Sequence, residues 1–271
     1  MAEVTGLAII GGGKIGEAML SGLLRGHRKP DEVVVVEHYP ERRRQLAERY
    51  GVQVVSVTEA VRVSRTLLIA VKPQDIDALL AELGDLVGPE HLVVSVAAGV
   101  PTARIEKALP AGPAVVRCMP NTPAVVDEAM TAVCAGSRAD EAHMALAEEL
   151  LSAVGQVVRV PESQLDAVTA LSGSGPAYFF FLVEAMIDAG ILLGLPRALA
   201  EQLIVQTLLG SAVMLRDSGE HPVRLREAVT SPAGTTIAAI RELERHGVRA
   251  AFLSAIEAAS QRSAELGRSA E

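Results

Sequence analysis

A chain of 271 residues that is 49% hydrophobic can bury a sizeable core, as one large domain or two. Its net charge of −8 disfavours nucleic acid as a partner. Two cysteines, Cys118 and Cys134, lie in apolar strand-like runs without ligand spacing, so reduced core residues and no metal are expected.

The first element is an apolar run, Leu7-Ala8-Ile9-Ile10, which reads as a strand. It begins within a few residues of the N-terminus, too early for a signal or transit peptide, so a cytoplasmic protein is expected. Gly11-Gly12-Gly13-Lys14-Ile15-Gly16 follows and opens an amphipathic segment with Met19, Leu20, Leu23 and Leu24 on one face. A strand, a tight turn and a helix, with glycines spaced Gly11-x-Gly13-x-x-Gly16, form the dinucleotide-binding fingerprint. Gly11 permits the turn, Gly13 lets backbone approach a pyrophosphate, and Gly16 lets helix and strand pack closely. The helix N-terminus then offers N–H groups and a positive dipole end to phosphates.

Four valines at 33–36 suit a strand buried on both faces, and a charged helix over 40–50 ends at Gly51. Further strands are expected at 52–55, 67–71, 92–96 and 114–117, each after helical pattern or turn. Segments 130–135 and 157–160 extend the sheet, antiparallel to the rest. The class is α/β, a Rossmann-type doubly wound sheet, in a dinucleotide-binding domain over residues 1–160.

From residue 161 to 271 no strand pattern is found, and an all-helical domain is expected. Its helices fall at 161–171, 176–193, 196–217, 222–228, 235–246 and 248–266, several with proline near the start. The helix at 176–193 is interrupted by Glu184 and Asp188 and lacks basic flanks, so it reads as buried rather than membrane-spanning. Tyr178-Phe179-Phe180-Phe181-Leu182-Val183 within it is apolar nearly all round and requires cover on every side, which points to a partner chain.

Several turns carry candidate chemistry. Glu37 stands at the end of the second strand, where an acid holds a ribose 2′-hydroxyl and marks NAD. His38, Tyr39, Arg42, Arg43 and Arg44 follow, and arginine suits a 2′-phosphate. The two signals conflict, and a solvated helix face explains the arginines equally well. Ala70-Val71-Lys72-Pro73 and Val96-Ala97-Ala98-Gly99 end two further strands, where an open α/β sheet lines its ligand crevice. Asn121, between Pro120 and Pro123, sits in a stiff loop that can hold an amide partner. Leu171-Ser172-Gly173-Ser174-Gly175-Pro176 is a small-residue hinge. Thr230-Ser231-Pro232-Ala233-Gly234-Thr235-Thr236 brings hydroxyls to a helix N-terminus, a ready anion site, though Ser231 or Thr235 can equally cap the helix. No lysine follows Lys107, and the six histidines fall in polar or turn contexts. The helical part thus lacks a strong general acid, which a ketone reduction wants and an iminium reduction does not.

At these residues the chain resembles the pyrroline-5-carboxylate reductases over nearly its whole length. The matching stretches are GGGKIGEAM at the start, AVKPQ at 70–74, VAAGV at 96–100 and RCMPNTP at 117–123. The most specific are DAVTALSGSGPAYFF at 166–180 and AVTSPAGTT at 228–236. The resemblance implies reduction of 1-pyrroline-5-carboxylate to L-proline, the last step of proline biosynthesis, with NADPH preferred and NADH as the alternative. It implies that Ile10, Gly11, Gly12, Gly13, Lys14, Ile15, Ala70, Val71, Lys72, Pro73, Ala97, Ala98 and Gly99 hold the cofactor, and the residues read above add Glu37, His38, Tyr39, Arg42 and Asn121 as expected cofactor contacts. Ser174, Ser231, Ala233, Gly234, Thr235 and Thr236 would hold the substrate, with Thr236 as the catalytic residue. It also implies a homodimer built through the helical domain, and a larger decamer of dimers. Ala233 departs from the usual family pattern, Ser-Pro-Gly-Gly-Thr; alanine is harmless at that position if φ is negative and costly if φ is positive. A β-hydroxyacid dehydrogenase of similar build would need a catalytic lysine that the helical part lacks, and a nucleotide sensor without turnover would need no second anion site.

Overall fold

The computed structural model describes residues 6–26 and 28–268. The opening run forms β1 (Gly6–Ile10), and the valines form β2 (Val33–Val36), buried at every position as β-branched side chains in a two-sided sheet should be. Between them lies α1 (Lys14–Arg25), and after them α2 (Pro40–Tyr50), ended by Gly51 in the left-handed conformation at φ 69°. The alternation continues through β3 (Gln53–Val55), α3 (Val57–Val63), β4 (Ser64–Ile69), α4 (Ile76–Leu83), β5 (Leu92–Ser95), α5 (Thr102–Ala108) and β6 (Ala114–Met119). Then come β7 (Ala129–Ala135), α6 (Glu141–Ser152) and β8 (Gly155–Arg159).

The eight strands form one sheet in the order β3-β2-β1-β4-β5-β6-β7-β8. β1 to β6 run parallel. β7 is antiparallel to β6, and β8 pairs parallel to β7, so the last two strands reverse direction as expected. The expected strand at 67–71 stops at Ile69, because the chain leaves the sheet there; the Ala70 N–H still donates to the Ile10 carbonyl at 2.8 Å. Each face of the sheet has its own apolar layer. Leu7, Ile9 and Leu68 pack with Met19 and Leu20 on one face, and Ala8, Ile10 and Ile69 with Ile76 and Leu80 on the other.

The stretch after β8 differs from the continuous helix expected over 161–171. A 3-10 turn (Glu162–Gln164) leads to α7 (Leu165–Val168) and then to a π-helical turn (Thr169–Gly173). The Thr169 hydroxyl bonds back to the Leu165 carbonyl at 2.7 Å, and the Ser174 N–H reaches five residues back to Thr169 at 2.8 Å. The small residues read as a hinge are therefore a wide helical turn.

Internal contacts group the chain into two units, Met1–Ser174 with Ala259–Glu271, and Gly175–Ala258. The division falls at 174, not at the expected 160, for a local reason. Glu162 is bonded to α5 and β6, Leu165 is buried with Ala132 and Cys134, and Ser263 donates to Asp166 at 2.7 Å. The second unit holds α8 (Gly175–Leu192), α9 (Arg197–Ser218), α10 (Pro222–Ala228), α11 (Thr235–Arg245) and the first part of α12 (Val248–Arg268). Within the single chain only Gly175 of α8 is buried, and Phe179, Phe180 and Phe181 are 55%, 68% and 74% exposed, so the cover expected for this helix falls to a partner chain. A helix apolar on all sides needs neighbours on all sides, and within this unit α9 packs on one of them. By length and composition both α8 and α9 could cross a membrane.

Candidate functional site

Gly11 takes φ 108°, and a Cβ there would stand 2.6 Å from the Ala70 carbonyl oxygen. At Gly16 a Cβ would meet the Gly11 carbonyl oxygen at 1.9 Å. These two contacts bind the loop between β1 and β4, where the strand order reverses direction. Gly13 is the opposite case. It is the N-cap of α1, no side chain caps it, and nothing lies within 4 Å of its Cβ position. The first N–H groups of α1, from Lys14 and Ile15 onward, thus open on free space at the positive end of a helix, a fit for a dinucleotide pyrophosphate.

Both signals after β2 are present together. The Glu37 carboxylate accepts from the N–H groups of Gly12 at 3.1 Å, His38 at 2.7 Å and Tyr39 at 3.0 Å. Arg42 donates from Nε to the Gly12 carbonyl at 2.8 Å and pairs with Glu17. Arg42 therefore lies on the glycine loop and is not part of a merely solvated face. Arg43 is committed to the Glu37 and Val54 carbonyls. Glu17, absent from the sequence expectations, gathers Arg42, Arg49 and Tyr50 around α1. Burial pushes its carboxyl up, but bonds from Arg42 and Tyr50 and the charges of Arg42 and Arg49 outweigh this and hold it below the usual range.

The remaining positions expected to hold a cofactor follow the carboxyl ends of β4 and β5. Ala70, Val71, Lys72 and Pro73 leave β4, and Ala97, Ala98 and Gly99 leave β5, with the Val96 N–H donating to Ile69 at 3.0 Å. A cleft of about 600 Å³ is lined by Pro73, Gln74, Ala98, Gly99, Thr169 and Ser174, among others. It brings Ser174 beside three of the expected cofactor positions within the first unit. Its far wall is the end of α12, with Arg262, Ser263 and Leu266. Asn121 is bonded to two neighbouring segments. Its amide nitrogen donates to the Ser172 carbonyl and hydroxyl at 3.3 Å each, and its oxygen accepts from the Met130 N–H at 3.0 Å. It ties the loop after β6 to the π-helical turn.

A second polar group, of which spacing gave no sign, links the turn after β8 to α5 and β6. Glu162 accepts from the Thr102 N–H at 2.8 Å, from the Thr102 hydroxyl at 2.7 Å and from Arg117 at 3.1 Å. Arg117 is 7% exposed. Burial raises the Glu162 carboxyl, and the Thr102 and Arg117 bonds more than reverse this, so it lies below the ordinary value. Cys118 and Cys134 are free and buried, and burial pushes both thiols up, Cys134 to about 11. Of the histidines expected in polar or turn settings, His91 sits in a turn yet is buried, its ring bonded to Gly88 and Val61. Among the described residues no cluster of three His, Cys, Asp or Glu forms a metal site.

Ser231–Thr236 lies in the second unit, at the start of α11. Gly234 is the N-cap, with no side-chain bond to the helix, so neither Ser231 nor Thr235 caps it. Among the described hydrogen bonds, none satisfies the N–H groups of Thr235, Thr236 or Ile237. Ser231 and Thr235 are exposed and Thr236 is half-buried. Three free donors, three hydroxyls and a helix dipole suit a carboxylate.

Residues 162–266 match a family model described as pyrroline-5-carboxylate reductase dimerisation, and residues 6–99 match one described as NADP oxidoreductase, coenzyme F420-dependent. The pyrroline-5-carboxylate reductase of Mycobacterium tuberculosis is 46% identical, with 96% of each chain covered. That of Synechocystis is 47% identical, covering 97% of this chain and 98% of the other. Among solved structures, a pyrroline-5-carboxylate reductase from Coxiella burnetii superposes with a TM-score of 0.91 at 37% identity, over 97% of this chain and 99% of that one. The Plasmodium falciparum pyrroline carboxylate reductase with NADP bound gives 0.84 at 26% identity, over 98% and 99%.

Proposed function

The chain belongs to the pyrroline-5-carboxylate reductase family, and from that premise we propose how its own residues carry the reaction. It is an oxidoreductase that reduces 1-pyrroline-5-carboxylate to L-proline with NAD(P)H, the last step of proline biosynthesis. Bound NAD(P)H supplies the hydride that adds to the carbon of the C=N bond. Gly13, Lys14 and Ile15 hold the pyrophosphate with backbone N–H groups, because the space above Gly13 is open. Glu37, His38, Tyr39 and Arg42 hold the adenosine ribose, and Ala70–Pro73 with Ala97–Gly99 hold the nicotinamide end. Arg42 beside Gly12 supports a preference for NADPH, with NADH also accepted.

The substrate lies at the start of α11. The observation that carries this is the helix N-terminus left without a side-chain cap in a sequence full of hydroxyls. The N–H groups of Thr235 and Thr236 and the Ser231 hydroxyl hold the carboxylate, and Gly234 keeps the backbone open. The Thr236 hydroxyl orients the ring nitrogen. An iminium already carries its proton on that nitrogen, so hydride addition yields the amine without an acid from the protein. Orientation of reactants supplies much of the rate.

The dimerisation match and the exposed apolar face of α8 go with a homo-oligomer. The chain forms homodimers through the helical unit, assembled as a decamer of dimers, and works in the cytoplasm. Purified protein given pyrroline-5-carboxylate with NADPH, and in parallel with NADH, should consume nicotinamide absorbance and release proline. No consumption with either nucleotide would overturn the reading.

A further inference from the structure

Among the described residues only Asp127 and Ala233 take a positive φ without being glycine, at 62° and 58°. Asp127 is of a type that visits this region, and it closes a 3-10 turn. Ala233 has no such excuse and stands inside the substrate turn. The Gly234 N–H donates to the Ser231 carbonyl at 3.1 Å, which makes Ser231-Pro232-Ala233-Gly234 a hydrogen-bonded β-turn. Pro232 fixes a negative φ at the second position, and Ala233 has a positive φ at the third. That combination is a type II turn, whose third position is normally glycine or asparagine. The alternative type I turn suits Pro232 equally well and gives Ala233 an ordinary negative φ. The two turns differ by a half-rotation of the Pro232–Ala233 peptide, which exchanges the faces presented by the Pro232 carbonyl and the Ala233 N–H.

We propose that Ala233 is a positioning residue that sets how often the substrate clamp is in its binding-competent turn. This rests on the reading that Ser231–Thr236 holds the substrate. The Ala233 methyl weakens the type II turn against the type I turn, and the type I turn aims a carbonyl where the substrate carboxylate needs donors. The carboxylate binds the type II turn and draws the population towards it. Apparent substrate affinity is lowered in proportion to the competent fraction, while the cofactor, held on the glycine loop, feels nothing. A lower affinity raises the concentration at which the clamp saturates and also speeds release of the product, which bears the same carboxylate.

The test is Ala233→Gly, with Ala233→Asn and Ala233→Val beside it. In Ala233→Gly, the KM for pyrroline-5-carboxylate and the inhibition constant of L-proline should both fall about fivefold, with the KM for NADPH unchanged. Ala233→Asn should lie between wild type and Ala233→Gly, and Ala233→Val, which resists a positive φ, should raise both constants. Thermal stability should rise in Ala233→Gly whether or not the turn controls binding, so a higher Tm with unchanged KM and unchanged proline inhibition overturns the proposal. Thr236→Ala is measured alongside. If it impairs turnover of pyrroline-5-carboxylate and Ala233→Gly changes neither constant, only the role of Ala233 is lost. If Thr236→Ala leaves turnover at the wild-type level, the clamp reading falls and this proposal falls with it.

Discussion

Thr236 and Arg42 are the residues to which the proposed function assigns the orientation of the substrate and the choice of cofactor. Thr236→Ala should lower kcat/KM for pyrroline-5-carboxylate about tenfold or more, near 1.4 kcal/mol, because it removes the hydroxyl proposed to orient the reacting ring. Its Tm and its KM for NADPH should stay at wild-type values, since α11 draws no side-chain cap from this turn. Full retention of kcat/KM, measured under the same conditions, would reduce Thr236 to a surface hydroxyl. Arg42→Ala should raise the KM for NADPH more than that for NADH; an equal rise for both nucleotides would mean that Arg42 only braces Glu17 and the Gly12 carbonyl. Sequence alone left Glu37 and Arg42 in conflict, because spacing places both at one strand end and says nothing of which donors each carboxylate oxygen meets. Asn121 was legible as a residue in a stiff loop, but its partners, Ser172 and Met130, are set by tertiary packing that no local pattern encodes.

Among the elements, those with a strong local signal were legible to within a few residues. The glycine turn, the valine strand, Gly51 after α2 and the proline-led helices all follow from backbone preferences that act over a turn or less. The π-helical turn at Thr169–Gly173 was not, because it depends on where the Thr169 hydroxyl and the Ser174 N–H find carbonyls. Nor was the bond of Glu162 across to Thr102 and Arg117, at sequence separations of 60 and 45. That group supports a test of its own. The Glu162 carboxyl lies lower in the folded chain than in the unfolded one. Its contribution is therefore present above the ordinary glutamate value of about 4.3 and is lost as pH falls through the lower folded value. Glu162→Gln should flatten that acid limb of a stability-against-pH curve. At neutral pH it should cost about 3 kcal/mol, since Arg117 is left as a buried, unpaired charge. Urea unfolding at a series of pH values measures both effects, and a limb as steep as in wild type would remove Glu162 from the account.

For the molecule as a whole, the apolar exterior of α8 and α9 is the dominant fact. Phe180, Phe181, Leu192 and Leu209 are each more than half exposed, which a folded chain in water does not tolerate over so large a patch. Light scattering at micromolar concentration should find dimers or a multiple of dimers, and an active stable monomer would end the homodimer reading. Sequence conveyed this need for cover, because a helix without a polar face can be recognised from composition. It did not convey that the first unit takes back the residues from Ala259 onward, since return of a distant segment leaves no periodic trace. That return has a bearing on synthesis. A ribosome releases the glycine loop and all eight strands before it makes Arg262, Ser263 and Leu266, which wall the cleft beside Gly99 and Ser174. At the usual pace of about 5–20 residues per second, the nascent sheet waits several seconds with that side missing. A message cut short upstream of Ala259 would thus encode a sheet with its glycine loop in place and its cleft open on one side, so the cleft is walled only once the final helix has been translated.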